Sequence, residues 1–289
     1  MFAALCIIWG STWLAIKIGL AFLPPFIFAG IRFTIATVVL LVLARVLRAR
    51  VPRDRFSWGV MLFLGIIQIS LPYGLVFWGE EYISSGLSAV LFATLPFFVA
   101  IFAHVISAEK LSKFKVVGIL LSFTGLVAIF WRDVAAAQTL ATQSSIFGSL
   151  AVVGSAASGG LGNVVGKRYA ERIDPAANVL VQHLVGAIAL LSIGLAIEPR
   201  TSLDISPIAV IAVLYLGIVG SALGFVGLYW LLKKTSATNS AMITFLNPIL
   251  ALLLGWLILQ EVPDPNIGVG ATLILAGVYL TLKPAGRYF

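Results

Sequence analysis

The side chains of this sequence that could do chemistry are aromatic and ionisable residues set inside long apolar runs. Trp9, Trp13 and Lys17 follow one another at intervals of four, so a helix presents them on one face. Tyr73 and Phe77 repeat this spacing farther along the chain. Flat aromatic surfaces bind ring-containing ligands, but such stripes also occur as packing or lipid-facing surfaces. The spacing therefore predicts either a binding cavity or a packed face.

Charged groups inside the apolar runs are few, and each is a functional candidate because a charge in a bilayer is costly. Lys17 and Arg32 stand near the ends of their runs. There they could extend to the interface, or hold a gate closed through Glu80, Glu81 or a carbonyl group. His183 is a candidate for a cavity, because other polar residues accompany it in the same run.

Three prolines lie near the middle of apolar runs: Pro72, Pro96 and Pro248. A proline inside a helix removes one hydrogen bond and releases the carbonyl group four residues earlier. At membrane depth a released carbonyl group must face protein or a water-filled cavity. We therefore predict hinges or kinks that line a site, with kinks fixed by packing as the alternative. The released carbonyl groups would belong to Gln68, Phe92 and Thr244.

The complete candidate set combines these patterns with the polar residues of the apolar runs. The predicted cavity residues are Trp9, Trp13, Gln68, Tyr73, Phe77, Phe92, Asn163, His183, Phe225 and Asn247. The predicted hinges are the three prolines, and the predicted gate or structural charges are Lys17, Arg32 and Glu81. The sequence contains no HExxH, no GxSxG and no cysteine pair, so we predict no enzyme, no catalytic residue, no metal site and no cofactor.

Composition shows which elements must position these residues. Of the 289 residues, 61% are hydrophobic and 10% are charged, and the mean hydropathy is +1.09. Soluble chains contain about 25% charged residues, so only a multi-pass membrane protein fits. The formal charge of +8 does not indicate nucleic-acid binding, because the basic residues form short clusters between apolar runs.

Ten apolar runs suit a bilayer core of roughly 30 Å. The first run lacks the basic segment and cleavage site of a signal peptide, so we expect it to be retained as a helix. The runs cover residues 2–22, 26–47, 58–79, 85–107, 114–131, 146–166, 176–197, 207–231, 237–259 and 266–283.

The basic residues give the runs an orientation. With the N-terminus in the cytoplasm, fifteen Lys and Arg residues fall in cytoplasmic loops or at the C-terminus, and only Arg132 and Arg200 fall in outer loops. Such an excess marks the cytoplasmic side of a membrane protein. We therefore predict that both termini are cytoplasmic.

The chain also repeats itself. Pro96 recurs as Pro248 and Glu109 recurs as Glu261, each 152 residues later and without a gap. Five runs per copy is an odd number, so the second copy must enter the membrane in the opposite direction, and the loop charges are reversed accordingly.

These features together predict one architecture. We expect an all-α integral membrane protein of ten transmembrane helices, built as two five-helix repeats of inverted topology. The first repeat would cover residues 1–132 and the second residues 145–289.

The opening of the chain carries a recognisable set of residues, namely Trp9, Gly10, Ser11, Lys17, Pro25 and Arg32. Together with the proline-centred fourth and ninth runs, which end in Glu109 and Glu261, this opening resembles the EamA-type members of the drug/metabolite transporter superfamily. The resemblance covers essentially the whole chain and implies an exporter or facilitator of small metabolites in the bacterial inner membrane. The aromatic candidates also resemble the aromatic amino-acid exporter branch. Leu184 occupies the repeat position of Arg32, so a role of Arg32 is not duplicated.

The predicted function is export of small metabolites, aromatic and other neutral amino acids first, by alternating access through a central cavity between the repeats. No carboxylate stands near the midpoint of a run, which favours downhill export. His183 or a glutamate at the end of a run keeps a proton-coupled multidrug or metabolite exporter of broad specificity open as the alternative. A channel would usually repeat a polar or charged ring, and none is seen. The expected partners are the substrate and the bilayer, with no nucleic acid, and a monomer is the expected assembly.

Overall fold

The computed structural model describes residues 1–83, 88, 91–109, 112–140, 143–198, 206–247, 249–250 and 266–282. No strand occurs among these residues. Within them, six helices are long and apolar enough to cross a membrane, and two shorter apolar helices, Leu95–Ser107 and Thr272–Thr281, accompany them. The predicted class, an all-α integral membrane protein, is confirmed.

We number ten helical elements within the described residues, and each overlaps one predicted apolar run. Helix α5 extends beyond its run. The elements are α1 (Phe2–Leu20), α2 (Pro25–Val46), α3 (Arg55–Gly79), α4 (Leu95–Ser107), α5 (Lys113–Leu140), α6 (Gln143–Arg168), α7 (Pro175–Ile197), α8 (Pro207–Lys234), α9 (Ala237–Ala241) and α10 (Asn266–Leu282).

Several helices begin where local sequence signals place them. Helices α2, α7 and α8 start at Pro25, Pro175 and Pro207, positions where the missing N–H of proline costs nothing. Asp174 and Ser206 precede two of these helices, and their side chains accept hydrogen bonds from N–H groups of the first turn. The starts of α7 and α8 are therefore capped by the residues directly before them.

Two helices contain π-helical segments at matching positions of the repeat. The segment in α3 is Gly65–Ser70, and the segment in α8 is Leu216–Leu223, which begins 152 residues after Leu64. A π-helical turn disturbs the regular backbone ladder and is frequent at functional sites. In α3 the hydroxyl of Ser158, from α6, donates a hydrogen bond to the carbonyl oxygen of Ile67 at 2.6 Å.

Neither of the two predicted hinge prolines that the structure describes lies in the interior of a regular α-helical segment. A turn at residues 93–94 interrupts the fourth run, and α4 begins directly after it. Pro96 therefore stands in the first turn of a helix, where no N–H is needed. Pro72 stands likewise in the first α-helical turn after the π-helical segment of α3. Pro248 lies outside the described residues.

Helices α5 and α10 touch through their backbones at two pairs of glycines. A Cβ atom built on Gly118 would lie 2.5 Å from the carbonyl oxygen of Gly277, and one built on Gly125 would lie 2.5 Å from that of Gly270. No side chain fits at these distances, so only glycine permits the contact. The offset of 152 residues converts one glycine pair into the other.

Glu198 joins the ends of α2 and α7, which pack against each other. Its carboxylate follows α7 and accepts hydrogen bonds from the N–H groups of Phe26 at 2.6 Å and Ile27 at 2.8 Å. A negative charge is favourable there because the first N–H groups of a helix lack partners. The contact links α2, in the first half of the chain, to the end of α7, in the second half.

Candidate functional site

A cavity of about 110 Å³ lies between α1, α2, α3, α4, α6, α8 and the segment 240–247. Because these elements come from both halves of the chain, the cavity is a junction between them. The polar residues in its wall are Thr12, Arg32, Gln68, Ser155, Asn163, Ser240, Thr244 and Asn247.

The structure brings together eight of the ten residues that the sequence predicts for a cavity. Pro72, a predicted hinge, and Arg32, a predicted charge, also lie in the wall. That these side chains bind a substrate stays a prediction. The eight residues are Trp9, Trp13, Gln68, Tyr73, Phe92, Asn163, Phe225 and Asn247.

Aromatic rings form much of the wall and contact one another edge to face. The ring centroids of Trp13 and Phe92 lie 5.9 Å apart, and those of Trp9 and Phe225 lie 5.7 Å apart. The indole N–H of Trp9 donates a hydrogen bond of 3.0 Å to the carbonyl oxygen of Gly220, inside the π-helical segment of α8. The irregular backbone of α8 therefore orients one of the cavity aromatics.

Phe77, a predicted cavity residue, does not belong to the wall of this cavity. Its side chain is fully buried, and its ring centroid lies 5.4 Å from that of Phe28. Four residues along a helix advance a side chain by about 6 Å. That step from Tyr73, which does line the cavity, carries Phe77 into the core between α2 and α3.

His183, also a predicted cavity residue, lies outside the wall as well. Its imidazole is fully buried, with ring centroids 5.3 Å from Phe33 and 5.0 Å from Phe225. Its Nδ1 lies 2.8 Å from the carbonyl oxygen of Val179. Because Phe225 belongs to the wall, the histidine is one layer behind it.

Arg32 lies in the wall with a side chain only 1% exposed, so extension to the interface is ruled out. Its Nε donates a hydrogen bond of 2.8 Å to the hydroxyl of Ser221 in α8. Its guanidinium carbon lies 4.8 Å from the ring centroid of Tyr73 and 5.3 Å from that of Phe33. Among the residues that the structure describes, Nη1 has no hydrogen-bond partner.

Glu81, another predicted gate charge, does not belong to the described cavity wall. Glu81 is exposed beyond the end of α3. Partial burial, and then the charge of Glu198, raise the pKa of Glu81. The side chain of Lys17 lies outside the described residues. In the described part of the chain, no group of three His, Cys, Asp or Glu residues could hold a metal ion.

A chain of hydrogen bonds, which we call the amide relay, runs from the cavity wall into the bundle. The amide of Gln182 donates to Asn178 Oδ1 and to the hydroxyl of Tyr229, both at 2.8 Å. The hydroxyl of Tyr229 donates to Gln68 Oε1, and Gln68 Nε2 donates to Asn163 Oδ1 at 2.8 Å. Gln68 comes from the first half of the chain and the other four residues from the second. The relay therefore bridges the halves.

Two glycines of α6 make room for the amide relay. A Cβ atom on Gly162 would lie 2.7 Å from the Cβ of Gln68, and one on Gly166 would lie 2.8 Å from the ring of Tyr229. The close approach of α6 to both helices depends on these missing side chains.

Sequence reasoning missed Ser221 and Tyr229 as site residues. Ser221 orients Arg32, and Tyr229 is the middle of the amide relay. The available signal is a difference between the copies, since Tyr229 falls at the repeat position of Phe77. A polar residue that replaces an apolar one at an equivalent buried position indicates a hydrogen bond made in one copy only.

Comparison with known proteins places these features in a family context. A sequence model of the EamA-like transporter family matches residues 1–131 and 146–283. The chain is similar to "Uncharacterized transporter YoaV" of Bacillus subtilis, at 30% identity over 275 residues that cover 95% of this chain and 92% of that protein. It is similar to "Uncharacterized inner membrane transporter YedA" of Escherichia coli, at 28% identity over 253 residues that cover 87% of this chain and 79% of that protein. A solved crystal structure shares the fold, with a TM-score of 0.82 over 97% of this chain and 94% of that chain at 19% identity.

Proposed function

The chain belongs to the EamA-like transporter family, and on that premise we propose that this membrane transporter exports small metabolites, with aromatic and other neutral amino acids first among them. The substrate binds in the cavity described above. Alternating access carries it across, with the two halves of the chain opening to one side of the membrane at a time.

The mixed chemistry of the cavity wall carries this proposal. Trp13, Tyr73 and Phe92 offer flat apolar surfaces that suit the ring of a substrate. Asn247 Oδ1 and Ser240 Oγ are buried, and neither has a hydrogen-bond partner among the described residues. Buried polar atoms are normally paired. A ligand that brings an ammonium group would supply the missing donors.

Alternating access is supported by the equivalence of contacts in the two halves. The glycine pairs of α5 and α10 and the π-helical segments of α3 and α8 each recur at the offset of 152 residues. Between the glycine pairs, Ser122 Oγ donates to the carbonyl oxygen of Ile274 at 3.3 Å, and these two residues are themselves 152 positions apart. A residue that meets its own repeat partner lies near a two-fold axis, as inverted repeats require.

We propose downhill export because no Asp or Glu belongs to the described cavity wall. Proton-coupled carriers usually use a carboxylate at membrane depth that gains and loses a proton. Proton-coupled export would need another group, and His183, which contacts the wall residue Phe225, is a titratable candidate.

The proposed location is the inner membrane, with both termini in the cytoplasm. The loop charges support this orientation, and the similar protein of Escherichia coli is named an inner membrane transporter. A cysteine introduced at Arg53 should react only with reagents that reach the cytoplasm. The native Cys6 is buried and should not interfere. Labelling of position 53 from the outside alone would reverse the orientation.

Flux measurements in liposomes test which substrates are carried and whether their transport is coupled to protons. We expect saturable uptake of radiolabelled tryptophan or phenylalanine down a concentration gradient, unchanged by a protonophore. Trp13→Ala should raise the half-saturation concentration by about 2- to 10-fold, the loss of one aromatic contact. The matched control is Trp230→Ala, since Trp230 is 48% exposed and does not belong to the cavity wall. Accumulation against the gradient that a protonophore abolishes would replace downhill export by proton coupling.

A further inference from the structure

The guanidinium group of Arg32 is a buried cation in the cavity wall for which the described residues supply no anion. The ion pairs found among those residues join Lys115 to Glu109 and Arg172 to Asp54, both away from the cavity. Arginine keeps its charge at any physiological pH. An isolated charge inside a protein or membrane costs several kcal/mol or more unless it is paired. The buried charge of Arg32 therefore requires an anion that the described residues do not provide.

The contacts of Arg32 hold the group in place without neutralising it. The hydroxyl of Ser221 accepts a hydrogen bond from Nε, and the ring centroid of Tyr73 lies 4.8 Å from the guanidinium carbon. A hydroxyl and a ring face orient the planar group but carry no negative charge. Nη1 remains without a partner among the described residues.

We propose that Arg32 binds the carboxylate of the transported substrate, so that the ligands of this cavity are carboxylates that also carry an apolar or aromatic portion. The planar guanidinium fork matches the two oxygens of a carboxylate. The rings of Tyr73 and Phe92 stand in the same wall and receive the apolar portion. The inference deepens the proposed function and rests on it only in taking this cavity as the substrate site.

Among the described residues, the repeat does not supply a second site of this kind. Leu184 occupies the position of Arg32 in the second copy, and its side chain is 45% exposed. The two-fold relation therefore does not generate a second cation. A ligand with one carboxylate fits this arrangement, because Arg32 is the one cation in the described part of the wall.

A glycine of α8 lies beside both Thr12 and the guanidinium group. A Cβ atom on Gly220 would lie 2.8 Å from the methyl group of Thr12 and 3.6 Å from Arg32 Nη2. A side chain at position 220 would therefore clash with Thr12 of α1, whereas its distance to Arg32 would be that of an ordinary contact. Because the same glycine accepts the hydrogen bond from Trp9, one backbone segment positions both the cation and an aromatic wall residue.

Binding of matched ligand pairs to the purified full-length protein in nanodiscs tests the inference. Each pair has the same shape, with and without the charge: indole-3-acetate against indole-3-acetamide, and tryptophan against tryptophanamide. Isothermal titration calorimetry should show about tenfold or greater preference for the carboxylate, the effect of one charge-assisted hydrogen bond. Equal binding of both members of each pair, or no binding of any carboxylate, would overturn the inference.

Variants connect that preference to Arg32. Arg32→Gln should abolish the preference for the carboxylate, and Arg32→Lys should retain part of it. Ser221→Ala leaves the cation but frees its Nε, so it should reduce the preference without abolishing it, and it serves if the Arg32 variants fail to fold. The control is Arg45→Gln, an exposed residue of the same helix. A preference that survives in Arg32→Gln would refute the role of Arg32.

The outcomes separate the inference from the proposed function. If carboxylates bind through Arg32 but no amino acid crosses liposomes, the amino-acid substrate fails and the carboxylate site stands. If amino acids are transported and their amides compete equally well, the transport proposal stands and the carboxylate site fails.

Discussion

Tyr229 and Phe77 occupy equivalent positions in the two halves of the chain, 152 residues apart, yet they make different kinds of contact. Tyr229 is the centre of the amide relay, with hydrogen bonds to Gln182 and Gln68. Phe77 packs edge to face against Phe28, with no polar atom to satisfy. Two positions that the sequence repeat makes equivalent therefore differ in the chemistry of their contacts.

The difference predicts two kinds of mechanical behaviour. Hydrogen bonds are directional, so the amide relay is either made or broken, and a broken relay leaves buried polar groups unpaired. Aromatic packing is less directional and tolerates small displacements while contact persists. We therefore expect the aromatic packing around Phe77 to loosen gradually as the helices move. The hydrogen bonds of the amide relay should instead break together.

Removal of the Phe77 side chain should have the largest effect on stability. Phe77→Ala empties a fully buried site and should lower the free energy of unfolding by about 3–5 kcal/mol, measured by denaturation in detergent micelles. The matched control is Phe63→Ala on the same helix, since Phe63 is 44% exposed. Equal losses in both variants would show that the Phe77 junction is not a core.

Loss of a single hydroxyl should have an intermediate effect. Tyr229→Phe keeps the ring but removes the hydrogen bonds to Gln182 and Gln68 and leaves Gln68 Oε1 without its donor, which should cost about 1–3 kcal/mol. Tyr279→Phe is the control, because Tyr279 is 66% exposed. Combining Tyr229→Phe with Gln68→Leu should be less damaging than the sum of the single changes, since the two residues share one hydrogen bond. Strict additivity would contradict a connected relay.

The two ends of α3 should show the smallest effects, and these should have opposite signs with pH. The N–H of Ser57 and then Arg172 lower the pKa of Asp54, so its stabilisation is present above the unfolded-state pKa and is lost as pH falls through the folded-state value. Partial burial, then Glu198, raise the pKa of Glu81, so its contribution is present at low pH and is lost as pH rises through the folded-state value.

Melting temperatures recorded against pH test these signs. Asp54→Asn should lower the melting temperature at neutral pH and have little effect in acid. Glu81→Gln should raise it at neutral pH and have little effect in acid. The same direction of change in both variants at pH 7 would be inconsistent with the opposed pKa shifts.

Particular residues show how far the site could be anticipated from the sequence. Trp9, Trp13 and Tyr73 were predicted for a cavity because they are aromatic at helical spacing, and the structure places them in one wall. Phe77 shares the helix face of Tyr73 but lies one turn farther along, outside that wall. Periodicity identifies a helix face, but it does not show where a cavity ends along that face.

Arg32 illustrates a second limit. Its place near the end of an apolar run is compatible with extension to the interface, and only the packing of α2 against α8 shows that it turns inward to Ser221. A residue 189 positions away in the chain decides its environment. No local pattern contains that information.

The sequence by itself determined the membrane class, the places of the helices and the offset of the repeat. Apolar runs of bilayer length, prolines at helix starts and recurring glycines express these features locally, because backbone geometry and transfer into lipid depend on adjacent residues. Only the tertiary structure decided which side chains meet in the cavity and in the amide relay. In a membrane helix the faces toward lipid and toward protein are both apolar, so the pattern that separates inside from outside in a soluble helix is weak here.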